Sequence, residues 1–70
     1  MNIRDFIDSI SHPEHIEKIS IYISGMCTRV FTTDCWNNTR DTIIHMYGCH
    51  KVDKITLYAK ERVCVYIDIV

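Results

Sequence analysis

Two rhythms of apolar residues alternate along this chain, one of helices and one of strands. From Ile3 to Ile10 the apolar side chains Ile3, Phe6, Ile7 and Ile10 recur three and four apart, the spacing of one helix face. Asn2 takes the N-cap position with Asp5 three residues on, and Met1 is placed to pack on Phe6 across that cap. Ser11, His12 and Pro13 end the helix, because a proline ring disfavours helical geometry at the residue before it. The rhythm then changes to two: in "HIEKISIYISG", Ile19, Ile21 and Ile23 alternate with Ser20, Tyr22 and Ser24, as in a strand. Gly25-Met26 fits a type II′ hairpin turn, which sets Ile21 opposite Val30 and Tyr22 opposite Arg29.

The second half restates the first. "NTRDTIIHMYG" predicts a helix with Ile43, Met46 and Tyr47 on one face and Gly48 as its stop. "KVDKITLYA" then echoes "HIEKISIYI", and Arg40-Asp41 echoes Arg4-Asp5 at the start of each helix. The final segment, "KITLYAKERVCVYIDIV", turns at Lys60-Glu61-Arg62. Burial of one face requires Leu57 to face Val65 and Ile55 to face Ile67, which sets Tyr58 opposite Cys64 and Lys54 opposite Asp68. The expectation is a single α+β domain over 1–70, a tandem αββ repeat (αββαββ) with pseudo-repeat halves 1–36 and 37–70. Its four-stranded antiparallel sheet carries both helices on one face.

That last segment does not sort cleanly into greasy and wet sides, since Tyr58, Cys64 and Tyr66 occupy the side opposite Leu57, Val65 and Ile67. With helices on the aliphatic side, the other side displays Tyr22, Phe31, Tyr58 and Tyr66 with Arg29 and Lys54 around them. Aromatic rings with a polar tip beside cations are the residue types that dominate binding surfaces. These six are the candidate partner-binding residues. The contact is expected with a protein partner, a small signalling ligand or a second protomer.

Composition narrows the field. Seventy residues with 47% hydrophobic and 24% charged content make a small globular chain close to the lower limit for a self-sufficient core, which favours association as a homodimer. Eight bases against nine acids, without runs, give no basis for direct nucleic-acid binding by charge. "MNIRDFIDSI" interrupts its apolar pattern with acids, so a cytoplasmic chain is expected and not a membrane one. Reduced thiols at Cys27, Cys35, Cys49 and Cys64 then act as small apolar residues.

Chemistry is sparse. Cys27, Cys35, His45, Cys49 and His50 are ligand types suited to zinc, but no C-x-x-C pair organises them. No phosphate-cradling glycine loop is present, and nothing sets a histidine beside a thiol for nucleophilic catalysis. Neither enzyme activity nor a cofactor is expected. Trp36, at the joint between the halves, is placed to plug the core where the second helix begins, and "HPEH" brings His12 near His15 in a loop.

"MNIRDFIDSI" followed by "KISIYISG" resembles the opening of small phage and mobile-element proteins of the anti-CRISPR type. The resemblance covers about a third of the chain and implies an inhibitor of a bacterial defence component. Inhibitors of that kind which imitate DNA do so with a dense acidic surface, and this sequence has none, so the resemblance implies docking on a protein of the bacterial host's cytoplasm, or sequestering a signalling ligand there, through aromatic contacts. It carries over no functional residues. The alternative from the residues is a small self-assembling structural or regulatory protein whose aromatic face forms a homodimer, with zinc as a further stabiliser.

Overall fold

The computed structural model describes all residues from Met1 to Val70. The elements follow the order α1 (Ile3–Asp8), a 3-10 turn (Pro13–His15), β1 (Ile16–Ile23), β2 (Met26–Thr32), α2 (Trp36–Tyr47), β3 (Val52–Ala59) and β4 (Val63–Ile69). Asn2 caps α1 through its side chain, accepting from the Asp5 amide at 2.9 Å, while the Asp5 carboxylate returns toward the Asn2 amide. Both halves of a capping box are therefore built. Met1 stays largely exposed.

The four strands form one sheet in the order β2-β1-β4-β3. β1 pairs antiparallel with β2, and β3 antiparallel with β4, but β1 and β4 run parallel at the centre. The sheet is mixed, which corrects the all-antiparallel expectation. The reason lies in β4, whose Val63, Cys64, Val65, Tyr66, Ile67 and Ile69 leave it apolar on both sides. Such a strand belongs in the sheet centre, whereas β3, with Asp53, Lys54 and Thr56, suits an edge. The chain crosses over by α2 to the far edge, lays down β3, and returns inward with β4.

This order also qualifies the repeat. The echoing segments occupy unlike places: β1 is central, with Ile19 and Ile21 fully buried, while β3 is an edge whose Leu57 is exposed. The helices differ too, at 6 and 12 residues, and the boundary between 36 and 37 falls inside α2.

The first hairpin turns one residue earlier than expected. Ser24 (φ 53°) and Gly25 (φ 78°) are its two central residues, both left-handed as in a type I′ turn, whose twist matches that of the flanking strands. Ile21 then pairs with Arg29 and Tyr22 with Cys27, Thr28 being the extra residue of a bulge in β2. The second hairpin keeps its expected register: Leu57 opposite Val65, Ile55 opposite Ile67, Tyr58 opposite Cys64 and Lys54 opposite Asp68.

Both helices contribute to one core. Ile3 and Ile7 of α1 and Ile43 and Tyr47 of α2 join Ile16, Ile19 and Ile21 of β1, Phe31 of β2, and Val65, Ile67 and Ile69 of β4 in a single cluster. Trp36 opens α2 and packs against this cluster, as its place in the sequence implied. Arg40 of α2 ties the helices together through Asp8 at 2.6 Å. Gly48 ends α2 in ordinary right-handed geometry. Its lack of a side chain matters because a Cβ there would run into the Ile44 carbonyl.

A second tie involves the last hairpin. Arg62, in the β3–β4 turn, donates to the carbonyls of Glu14 (3.2 Å) and Ile16 (2.5 Å) and to the Thr33 hydroxyl (2.9 Å), while Thr33 donates to the same Ile16 carbonyl (2.6 Å). One planar guanidinium thus holds together the start of β1, the end of β2 and the last hairpin.

Candidate binding face

The sheet face away from the helices is best described as rows read across strands β2, β1, β4 and β3. One row is Thr32, Lys18, Cys64 and Tyr58; the next is Val30, Ser20, Tyr66 and Thr56; the third is Cys27, Tyr22, Asp68 and Lys54. Tyr22, Tyr66 and Tyr58 therefore lie on a diagonal that crosses three strands. Strand pleat alone sends these side chains outward, since their neighbours Ile21, Ile67 and Leu57 point to the helix side.

Along this diagonal the Tyr22 and Tyr66 rings stand 6.1 Å apart and tilted by 50°. Lys18 holds its ammonium 5.9 Å from the Tyr66 ring centre, and Lys60 places its own 5.4 Å from that of Tyr58, both within cation–π range. Tyr22, Gly25, Lys54, Thr56, Tyr66 and Asp68 line an open concavity of about 320 Å³. Burial pushes the Tyr22 phenol above its ordinary 10.0, and the neighbouring Cys27 and Tyr66 act in the same direction. The ring consequently stays a neutral hydrogen-bond donor throughout the physiological range.

Beneath the tyrosines the face is closed. Ser20 and Cys64 are each only 2% exposed. The Cys64 thiol donates to the Glu17 carboxylate at 3.2 Å, an acceptor that raises its pKa from 9.0, with burial adding to the effect. It is held as a thiol, the form that is neither nucleophilic nor metal-binding.

Of the six residues expected on this face, Tyr22, Lys54, Tyr58 and Tyr66 are there. Phe31 and Arg29 are not. The bulge at Thr28 shifts β2 so that Phe31 opposes Ile19, and Phe31 is 8% exposed in the core with its ring 6.4 Å from that of Tyr47. Arg29 opposes Ile21 and its guanidinium lies 5.5 Å from the Phe31 ring, again on the helix side. Lys18, Thr56 and Asp68 also belong to the face: Thr56 and Asp68 follow from the register of the last hairpin, whereas Lys18 meets the Tyr66 ring only through the parallel pairing of β1 with β4.

Cys27, Cys35 and Cys49 are exposed free thiols, which corrects the expectation that the cysteines fill apolar space; Cys64 alone does so. No three His, Cys, Asp or Glu side chains converge as a ligand set, so Cys27, Cys35, His45, Cys49 and His50 are not brought together. His12 and His15 do meet, with stacked rings 5.4 Å apart and His12 bonded to Glu14 at 3.1 Å. No helix is long and apolar enough to cross a membrane. No family model, curated protein or solved structure matches the chain.

Proposed function

We propose that this chain is a non-catalytic binding protein that docks on another protein through its helix-free sheet face, and that it serves a phage or mobile element by antagonising a bacterial defence component. The observation that carries the docking reading is the diagonal of Tyr22, Tyr66 and Tyr58, bordered by Lys18, Lys54 and Lys60, on a face that neither helix covers. Tyrosine offers large contact area, a polar tip and little rotamer entropy to lose, so a cluster of them raises the affinity available per side chain. Three lysines against the carboxylates of Asp68 and Glu17 favour a partner surface carrying acidic groups around an apolar centre. The anti-defence role rests on the resemblance of the first third of the chain to proteins of the anti-CRISPR type.

A small signalling ligand is the lesser fit. The concavity of about 320 Å³ sits at the small end of the range for ligand pockets, about 300–1,000 Å³, and is open.

The test is plating of a phage restricted by a defence system, on cells with and without the chain. Wild type is expected to restore plating, and the double variant Tyr22→Ala/Tyr66→Ala to lose that effect while remaining folded. Restoration by the double variant to the same level removes the sheet face from the mechanism. Failure of wild type against a panel of defence systems removes the anti-defence role.

A further inference from the structure

The sheet has two free borders, and they are not alike. β2 is bulged at Thr28 and carries Arg29 beside it, devices that hinder pairing with another strand. Met1 meets the outer side of β3 only at its start, accepting from the Val52 amide at 3.0 Å, and from Lys54 to Ala59 β3 is regular with no neighbour on that side. Leu57, 63% exposed, and Tyr58, 55% exposed, project from its two faces. Leu57 lies on the helix side, opposite buried Val65, yet beyond the reach of either helix.

The geometry points to the outer edge of β3 as a self-association surface, where a second copy of this chain adds its own β3 antiparallel across a twofold axis at Thr56. The register follows from charge and apolar matching. Antiparallel strands bring same-face residues opposite one another, so the axis must pass through a residue. An axis at Ile55 sets Leu57 against the partner's Asp53, the bulged residue of β3. An axis at Leu57 sets Lys54 against the partner's Lys60 and Asp53 against the partner's Glu61, both like-charged. An axis at Thr56 sets Leu57 against the partner's Ile55 and Tyr58 against the partner's Lys54. That register covers the exposed leucine and adds a cation–π pair of the kind already made by Lys60.

The two sheets then continue as one, with the tyrosine diagonals of both copies on the same side. A single strand edge lies at the small end of specific interfaces, so the dimer is weak and concentration-dependent. The dimer shares Tyr58 and Lys54 with the docking face, while Tyr22 and Tyr66 lie away from this border, so variants at those two separate the two roles.

Sedimentation equilibrium from low-micromolar to near-millimolar protein tests it. The mass is expected to rise from 8.3 kDa toward twice that value, and Leu57→Lys to weaken the association about tenfold or more. Tyr22→Ala should leave it unchanged. In a background with Cys27, Cys35 and Cys49 replaced by Ser, Thr56→Cys is expected to oxidise to a covalent dimer faster than Lys54→Cys, since only residue 56 meets itself on the axis. A mass fixed at 8.3 kDa across the range overturns the proposal. A dimer indifferent to Leu57→Lys, or equal cross-linking of the two cysteine variants, overturns it as well.

Discussion

Tyr22 and Tyr66 stand on adjacent parallel strands, two residues out of register, with ring centres 6.1 Å apart. Each partly shields the other from water, and this proximity has a measurable consequence. Tyr22 is neutral when protonated, and the fold raises its pKa above 10.0, chiefly through burial. Its contribution to stability is therefore complete below the ordinary phenol range and lost as pH climbs through the folded value. Cys64, raised from 9.0 by Glu17 and burial, acts in the same sense. Stability should fall as pH rises past about 9, and the alkaline fall should be shallower in Tyr22→Phe. Thermal melts across an alkaline pH series check this; a melting temperature flat to pH 11, or equal slopes in the two proteins, contradicts it.

The thiols should separate by reactivity. Cys27, Cys35 and Cys49 are exposed, whereas Cys64 is buried and bonded to Glu17. A disulfide reagent at neutral pH is expected to modify three thiols quickly and the fourth only on unfolding, with Cys64→Ser abolishing the slow phase. Four thiols of equal rate would contradict the buried setting of Cys64.

Phe31 and Tyr58 carry opposite expectations. Phe31 fills the core against Tyr47 and Ile19, so Phe31→Ala should cost about 3 kcal/mol or more and leave so small a domain largely unfolded. Tyr58 is exposed, and Tyr58→Ala should cost no more than about 0.5 kcal/mol. Urea unfolding of the two variants decides the matter, and comparable losses would contradict a core position for Phe31.

Arg62 offers a test of the tie between the hairpins. Removing its guanidinium takes the donor from the Glu14 carbonyl and the Thr33 hydroxyl and leaves the Ile16 carbonyl with Thr33 alone, so Arg62→Ala should cost about 2 kcal/mol. Arg62→Lys should recover little, since one ammonium cannot span the same acceptors. Full recovery by lysine in denaturant titration would assign the residue a role of charge alone.

Much of this fold is legible in the sequence, and what is not has a physical cause. The capping box of Asn2 and Asp5, the stop at Gly48, the core position of Trp36 and the register of the last hairpin all follow from local spacing and burial. The bulge at Thr28 does not, because it arises from the Ser24-Gly25 turn, and a one-residue difference moves Arg29 and Phe31 to the other side of the sheet. The central pairing of β1 with β4 is also beyond local reasoning, as it joins strands from opposite ends of the chain. The doubly apolar character of β4 was its only mark. Strand alternation therefore places the tyrosines and the last hairpin's register places Asp68 beside Lys54, while the approach of Lys18 to Tyr66 depends on the two central strands lying side by side.

Hydroxyl-radical footprinting of aromatic side chains, on the free protein and on its complex with a captured partner, tests the central claim most directly. The free protein should be modified at Tyr58, Tyr66 and Tyr22 and protected at Phe31 and Tyr47, with Tyr22 and Tyr66 becoming protected in the complex. Unmodified Tyr22 and Tyr66 in the free protein, or unchanged modification of both in the complex, would contradict an open tyrosine face that makes the contact.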